Sequence, residues 1–440
     1  MKISFTLLSS AHHGSNSTMK NPHKPTRRDL IVSGTAAAAL GATPVLGRRG
    51  ESKEVLKVGL IGCGGRGTGA AAQALRADPN TKLVALADAF SDALENSLRT
   101  LSGTADIADR VDVSPENQFV GFDAYKGVID NCDVVLLATS PHFRPLHVEA
   151  AVNAGKHLFV EKPVAVDGPG LRRIWAACDK AKEQGTVLVS GLCYRYQFAK
   201  QETVKRIHDG GIGEITAMQT SYNTGGLWHK GRKPEWSDME YQMRNWLYFG
   251  WLSGDHIAEQ HIHSLDKIAW VKGAYPTKCV ASGGRIQRTD EKYGNIYDHF
   301  NTTYEWEDGV RAFSSCRQIS GAASDVSDWI YGTKGKANIQ AHRIWADEDW
   351  RYRGEGPDDM YQNEHDRMFE AIRAGEVIHN GDYMCDSTLM AIMGRMAAYT
   401  GQSVTREAAL NSELDLSPAA YDWTDLEMRP ISIPGVTKFI

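Results

Sequence analysis

Cysteine is scarce in this sequence and falls into no pattern. Seven occur in 440 residues (Cys63, Cys132, Cys178, Cys193, Cys279, Cys316 and Cys385), an odd number with no Cys-x-x-Cys pair. That spacing excludes a zinc ribbon and a disulfide framework and leaves the thiols as small core residues. An excess of positive charge is missing as well. The formal net charge is −5 with both signs interspersed, so the electrostatic footprint of a nucleic-acid partner is absent. No apolar run has the length and hydropathy of a stable membrane anchor, and no repeat or low-complexity tract appears after residue 50. What remains is a chain too long for one ordinary core, so two domains are expected.

The first fifty residues stand apart. Residues 1–25 are polar and basic, and Thr26-Arg27-Arg28-Asp29-Leu30 leads into an uncharged stretch, 30–47, rich in Ala, Gly, Ser and Thr. A twin arginine before a weakly apolar run reads as a twin-arginine export signal with its linker, and predicts a periplasmic or otherwise exported protein. That route carries folded chains, which suits an enzyme that binds a cofactor before export. No small-x-small cleavage box is visible, and Met1 and Met19 are alternative starts.

From residue 54 the grammar changes. Short apolar strands are expected at 55–61, 82–87, 133–138 and 157–160, and helices near 66–77, 91–101, 124–130, 144–154 and 168–184, with a polar loop at 102–120. Continuous apolar strands alternating with helices predict a doubly wound parallel sheet, a Rossmann domain over 54–185. Its first strand ends in Gly62-Cys63-Gly64-Gly65-Arg66-Gly67. The G-x-G-x-x-G spacing permits a tight turn at Gly62, backbone approach to a pyrophosphate at Gly64 and close helix packing at Gly67. The following helix offers its N-terminus to the phosphates. Asp88 closes the next strand where an acid binds a ribose 2′-hydroxyl, and no Arg or Lys follows it closely, so NAD is expected rather than NADP.

Residues 186–440 predict an α+β domain. Alternating patterns at 214–223, 276–287, 297–306, 309–319 and 325–332 follow one another without helices between most of them, which implies a large, mostly antiparallel open sheet. Helices are expected at 203–209, 361–375 and 383–400, with a long one at 255–271. Ligands of open parallel sheets bind at the carboxyl ends of the strands, so the site is expected in the cleft facing the second domain.

An ordered series of motifs now resembles the glucose–fructose oxidoreductase / inositol dehydrogenase (Gfo/Idh/MocA) family. It runs from the glycine turn through Ala138-Thr139-Ser140-Pro141 with His147, and Ala154-Gly155-Lys156-His157 through Glu161-Lys162-Pro163. It continues through Cys193-Tyr194-Arg195-Tyr196, Gly211-Ile212-Gly213-Glu214-Ile215 and Glu259-Gln260-His261-Ile262-His263-Ser264-Leu265-Asp266. The resemblance implies a cofactor site formed by Gly62, Cys63, Gly64, Gly65, Arg66, Gly67, Asp88, Thr139, Ser140, Pro141, His147, Glu161 and Lys162. It implies a lysine, Lys162, that binds substrate and assists proton transfer, and a catalytic His263. Tyr194, Arg195, His261 and Asp266 join them as substrate contacts, and a homo-oligomer is implied by the open sheet. Two positions depart from the family's Asp-x-Gly-x-His-x-x-Asp motif: Glu259 replaces the first acid and His261 the glycine.

The chemistry agrees. Oxidising a secondary alcohol leaves a hydroxyl proton, which a histidine is suited to accept, and a cationic lysine stabilises a developing alkoxide. Glu259 and His263, four residues apart on one helix, are expected to pair, the acid orienting the imidazole. Asp255, His256, Glu259 and His263 fall near one face and offer a rival metal reading. Their spacing matches no metal motif as well as it matches the dehydrogenase one, and no metal is expected. Between the domains, 225–251 carries Trp228, His229, Lys230, Arg232, Trp236, Arg244, Trp246, Tyr248 and Trp251, suited to a pyranose ring or to packing on its own domain. Glu364-His365-Asp366 reads as helix capping, with His365 in the cleft as the alternative. Three functions follow: an NAD-dependent dehydrogenase of a sugar, cyclitol or related polyol; an NAD-dependent glycosidase working by transient oxidation and elimination; and a non-catalytic sugar sensor.

Overall fold

The computed structural model describes residues 54–438, so the expected export signal lies outside the described residues. Strands and helices alternate from β1 (Leu56–Ile61), α1 (Gly65–Ala77), β2 (Thr81–Asp88), α2 (Ser91–Ser102), β3 (Gln118–Val120) and α3 (Ala124–Asn131). They continue through β4 (Val134–Leu137), α4 (Arg144–Asn153), β5 (His157–Val160), α5 (Gly168–Gln184) and β6 (Leu188–Ser190). The six strands form one parallel sheet in the order β3-β2-β1-β4-β5-β6. Strand order reverses between β1 and β4, which opens a crevice at their carboxyl ends. Both faces are covered, as the apolar runs predict: Val58, Leu60 and Leu136 pack into one buried cluster and Ile61, Val135 and Leu137 into another. The expected loop at 102–120 hides one element. Its last three residues, Gln118-Phe119-Val120, form the edge strand β3, too short to show a period.

The second part holds α6 (Phe198–His208), β7 (Ile215–Thr224), α7 (Asp238–Arg244), α8 (Gly250–Ser253), α9 (His256–Glu259) and α10 (Ile262–Lys272). Then come β8 (Lys278–Gly284), β9 (His299–Glu305), β10 (Arg311–Gln318), β11 (Asp325–Gly332), β12 (Lys336–Asn338), β13 (Arg343–Trp345), β14 (Trp350–Arg351), α11 (Met360–Ala374), α12 (Gly381–Thr400) and β15 (Val404–Thr405). Nine strands make one sheet, β14-β13-β12-β11-β7-β10-β9-β8-β15. Its pairings are antiparallel except for β7 with β10. The strands of two or three residues, β12 to β15, carry too little sequence to alternate visibly. Met368 and Phe369 of α11 reach back and complete the core around β1 and Phe159. That helix begins at a cap supplied by Asp359, which accepts from Tyr361 N at 3.0 Å and Gln362 N at 3.4 Å. Capping therefore does not fall to Glu364, and His365 is buried against the Phe159 ring at 4.4 Å.

The helix expected at 255–271 is broken. The carbonyl of His256 accepts from both Gln260 N and His261 N at 3.0 Å. One extra residue thus enters the helical ladder, and α9 and α10 become separate turns with a bulge between them. Asp255 enters α9 with φ +68°, a strained value for a residue with a Cβ. Its buried carboxylate over-determines that backbone by accepting from His256 N, Tyr297 N at 2.8 Å and Tyr399 Oη at 2.6 Å.

Candidate active site

The glycine turn is shaped by what surrounds it. Gly62 has φ +100°, and a Cβ there would meet the Ala138–Thr139 peptide at 2.6 Å. At Gly67 a Cβ would lie 1.9 Å from the Gly62 carbonyl oxygen, so only glycine lets α1 start this close to β1. Gly64 and Gly65 face open space, with nothing within 4 Å of a built Cβ. No side chain caps the first turn of α1 and no acid lies in it. An uncapped helix start behind an open glycine backbone fits a dinucleotide pyrophosphate. Asp88, at the end of β2, lines the same cavity. Its carboxylate accepts from Cys63 N at 2.7 Å and Phe90 N at 3.0 Å, and burial raises its pKa. It ties the turn together and keeps lone pairs for a ribose hydroxyl.

This cavity, about 710 Å³, is also lined by Thr139, Ser140, His147, Glu161, Lys162, Glu259 and His263. Volume and lining suit a cofactor with a small ligand beside it. His147 is buried, its Nδ1 3.4 Å from Thr139 Oγ1, and burial pushes its pKa down to about 3. Glu161, 3% exposed, is matched by Arg66 at 3.2 Å, and the Arg66 guanidinium lies 4.7 Å from the Tyr361 ring centre. Arg144 went unnoticed in the sequence. It also lines the cavity and donates to the carbonyls of Pro163 and, at 2.5 Å, Thr139, joining the loops that follow β4 and β5.

Lys162 and Glu259 meet across the cleft. Lys162 Nζ donates to Glu259 Oε1 at 3.0 Å and to the Glu259 carbonyl. The expected Glu259–His263 pair is absent, because the bulge at 260–261 takes the two residues off one continuous helical face. His263 instead packs edge-on against Tyr194, ring centres 5.1 Å apart. Its Nδ1 is buried without a partner among the described residues. Burial holds its pKa well below the usual histidine value, and the positive charges of Lys162, Lys267 and Lys200 push in the same direction. The ring is therefore neutral at neutral pH.

Several expected residues do not reach the cavity wall. Cys63 turns its thiol inward, 3.4 Å from the Ala87 carbonyl, and Pro141 is buried at the start of a short turn. Tyr194 is held between two lysines, with Lys200 Nζ at 4.5 Å and Lys267 Nζ at 4.6 Å from its ring centre. Arg195 is bound to Asp266 by contacts of 2.8–3.0 Å and lies over the Tyr383 ring at 4.0 Å. Asp266 also accepts from Ser387 Oγ at 2.7 Å. The pair fastens the turn after β6 to α10 and α12, so both charges are consumed behind the site. His261 is fully buried against the open sheet, its Nε2 2.6 Å from Ser314 Oγ, and burial drives its pKa down to about 3. The metal reading finds no support in this geometry. Asp255 and His256 are buried against each other, and among the described residues no group of three or more His, Cys, Asp or Glu is arranged to hold an ion.

The aromatic segment 225–251 divides its residues between two roles. Trp228, Lys230, Arg244 and Trp246 line the cavity, whereas Trp236, Tyr248 and Trp251 are buried. Arg244 crosses to α2, bonding both oxygens of Asp92 at 3.1 Å and lying over the Phe90 ring at 4.0 Å. Gln260 and Tyr222 complete the wall near Glu259. Gln260 belongs to the recognised motif, but nothing in its spacing marked it as facing the site.

Comparison with known proteins bears on this cavity. Residues 56–190 match the family model described as "Oxidoreductase family, NAD-binding Rossmann fold", and residues 201–338 match "GFO/IDH/MocA C-terminal domain". Together the two span more than half of the chain. One relative, 2,7-anhydro-N-acetylneuraminate hydratase of Escherichia coli, is 31% identical over 41% of this chain, and the match covers 44% of that relative's length. Inositol 2-dehydrogenase of Rhizobium meliloti is 24% identical over 66% of this chain and 76% of its own. The structure of levoglucosan dehydrogenase in complex with NADH and levoglucosan shares the fold with a TM-score of 0.62 at 20% identity, covering 80% of this chain and 99% of that one.

Proposed function

Because the chain belongs to the GFO/IDH/MocA oxidoreductase family, we propose that it is an NAD-dependent enzyme that moves a hydride between the nicotinamide and a secondary hydroxyl of a sugar, cyclitol or related polyol. The observation that carries this reading is one cavity holding the open glycine turn, Asp88, the Lys162–Glu259 pair and a neutral His263. NAD, when bound, supplies the hydride acceptor. An ammonium has three donors; Lys162 uses two on Glu259, and the third is left for the substrate oxygen. Among the described residues His263 has no hydrogen-bond partner on either ring nitrogen, and it lines the cavity; with the proton on the buried Nδ1, Nε2 takes the hydroxyl proton. The surrounding lysines make an imidazolium costly, and the ring gives the proton up again before the next turnover. Tyr194, Arg195, His261 and Asp266 are assigned to shaping the wall from behind. Asp88 supports NAD over NADP.

The test is NADH formation on myo-inositol, scyllo-inositol, levoglucosan and glucose. Accumulation of free NADH with at least one of them is expected. The relationship to a hydratase favours one alternative, a redox-neutral glycosidase-type cycle in which the cofactor is reduced and reoxidised within one turnover. A sugar product formed without free NADH would select it. We further propose twin-arginine export, supported by Arg27-Arg28 and the run after them, and a homo-oligomer, supported by Val280 and Phe313, 52% and 55% exposed on the nine-stranded sheet.

A further inference from the structure

Gln260 ends a hydrogen-bonded chain whose direction is fixed at its far end. Arg288, 3% exposed, donates through Nη2 to Gln318 Oε1. Gln318, 1% exposed, donates through Nε2 to Gln260 Oε1 at 2.8 Å. An arginine has donors only. The oxygen of Gln318 must therefore face Arg288, its NH₂ must face Gln260, and the oxygen of Gln260 is spent on that bond. The group of Gln260 left free for the cavity is its NH₂. That group makes no hydrogen bond among the described residues, while Gln260 lines the cavity beside Glu259 and His263. Amide orientation is usually ambiguous from shape alone; here the arginine settles it.

The far end is itself unusual. Among the described residues Arg288 has no carboxylate in hydrogen-bond contact with its guanidinium, which lies 5.1 Å from the Tyr248 ring centre, and its Nη1 is buried without a partner. Burying a cation this way is costly unless its charge is used. Gln318 is anchored by its backbone N–H on Asp298 O at 2.9 Å, and the Arg288 backbone N–H by Asp298 Oδ2 at 3.0 Å. The positive end polarises two amides in series and strengthens the last N–H as a donor.

We propose that Gln260 is a substrate-recognition residue, an N–H donor of fixed polarity for an oxygen of the polyol beside the carbon being oxidised, with Gln318 and Arg288 as positioning residues that hold it. This rests on the reading of the cavity as a polyol oxidoreductase site and adds what that reading lacks, a specificity determinant next to the Lys162–Glu259 pair. The ligand it selects carries an oxygen acceptor at the neighbouring position; a ligand without one leaves the amide unpaired and is discriminated against.

The experiment uses the full chain with NAD and measures kcat and KM on myo-inositol, scyllo-inositol, levoglucosan and glucose, each beside the analogue deoxygenated at a carbon next to the oxidised one. The unchanged enzyme is expected to prefer the parent to its deoxy analogue by roughly ten- to hundredfold in kcat/KM. In Gln260→Leu the parent loses about that factor and the analogue loses little, so the preference collapses while NAD affinity is retained. Gln318→Leu, which removes the relay and leaves the Gln260 side chain in place, is expected to raise KM for the parent several-fold with kcat nearly kept. A merely structural role would lower both substrates equally. Equal losses, or a preference that survives in Gln260→Leu, overturn the proposal. If the unchanged enzyme oxidises none of the probes, the functional reading falls, and this inference with it.

Discussion

The carboxylate of Glu259 rests on Lys162, and this decides which substitutions should be severe. Glu259→Gln keeps an acceptor but removes the charge opposite the ammonium. A charge-assisted hydrogen bond becomes a neutral one, so kcat/KM is expected to fall roughly ten- to hundredfold, visible in steady-state kinetics with His263 intact. His263→Ala removes the proton acceptor itself. Turnover should drop ~10²–10⁴-fold while NAD affinity, measured by direct titration, stays the same. The pH profile tests the same residue. A base works above its own pKa, and burial with three nearby lysines holds that of His263 below the usual value. The acid limb of kcat/KM is therefore expected well below the ~6.5 of an ordinary histidine; a limb at or above that value would move the proton acceptor elsewhere. At Asp88 two effects combine. Asp88→Ala should narrow the preference for NAD over NADP, and it should weaken both cofactors because Cys63 N and Phe90 N lose their acceptor. Comparing kcat/KM for the two cofactors checks the first effect, and equal use of both by the unchanged enzyme would refute the assignment.

Elements with a strong period were legible, and those built by tertiary contact were not. The strand 157–160 and the helix 168–184 run where the sequence predicts them, because apolar spacing and the Asp167 cap act locally. β3 has no such signal; it exists because β2 offers an edge. The break between α9 and α10 was invisible because its cause is distant. Tyr297 and Tyr399 hold Asp255 in its strained conformation from other elements, and the bulge then separates Glu259 from His263. The same limit explains the site. Gly62, Asp88, Lys162 and His263, named from motif and register, line one cavity, whereas Arg195 and Asp266 pair off behind its wall and Gln260 joins it. The segment 225–251 shows how an element of mixed sequence acquires a role. Arg244 of α7 is the bridge to α2, and Arg244→Ala is expected to raise the NAD dissociation rate roughly fivefold, the magnitude of one well-formed and partly exposed ion pair. Stopped-flow displacement of NADH would measure it. An unchanged rate would reduce the segment to packing.

At the scale of the whole chain, the two sheets are bound too closely to mature as separate pieces. Met368 and Phe369 of α11, far along the sequence, complete the core around β1, and Lys162 reaches Glu259 only when both parts are in place. A chain built this way suits the proposed twin-arginine route, which carries folded proteins. Seven free thiols point the same way: all are buried, at no more than 4% exposure for Cys63, Cys132 and Cys316. Burial pushes the Cys132 thiol up to about 12 despite the nearby charges of Lys156 and Lys57, so few thiolates exist to react. A protein that crossed a membrane unfolded into an oxidising compartment would expose all seven at once, whereas one exported folded keeps them covered. On the proposal made above, Arg27-Arg28 selects between these routes. Arg27→Lys with Arg28→Lys keeps the charge and removes the arginine pair, so the double variant should remain in the cytoplasm as an active, folded enzyme. The unchanged chain should appear outside it with its thiols unreactive toward a thiol reagent until denaturant is added. Fractionation with an activity assay on each fraction decides the matter. Normal export of the double variant would exclude the twin-arginine route, and thiols that react before denaturation would exclude a chain that travels closed.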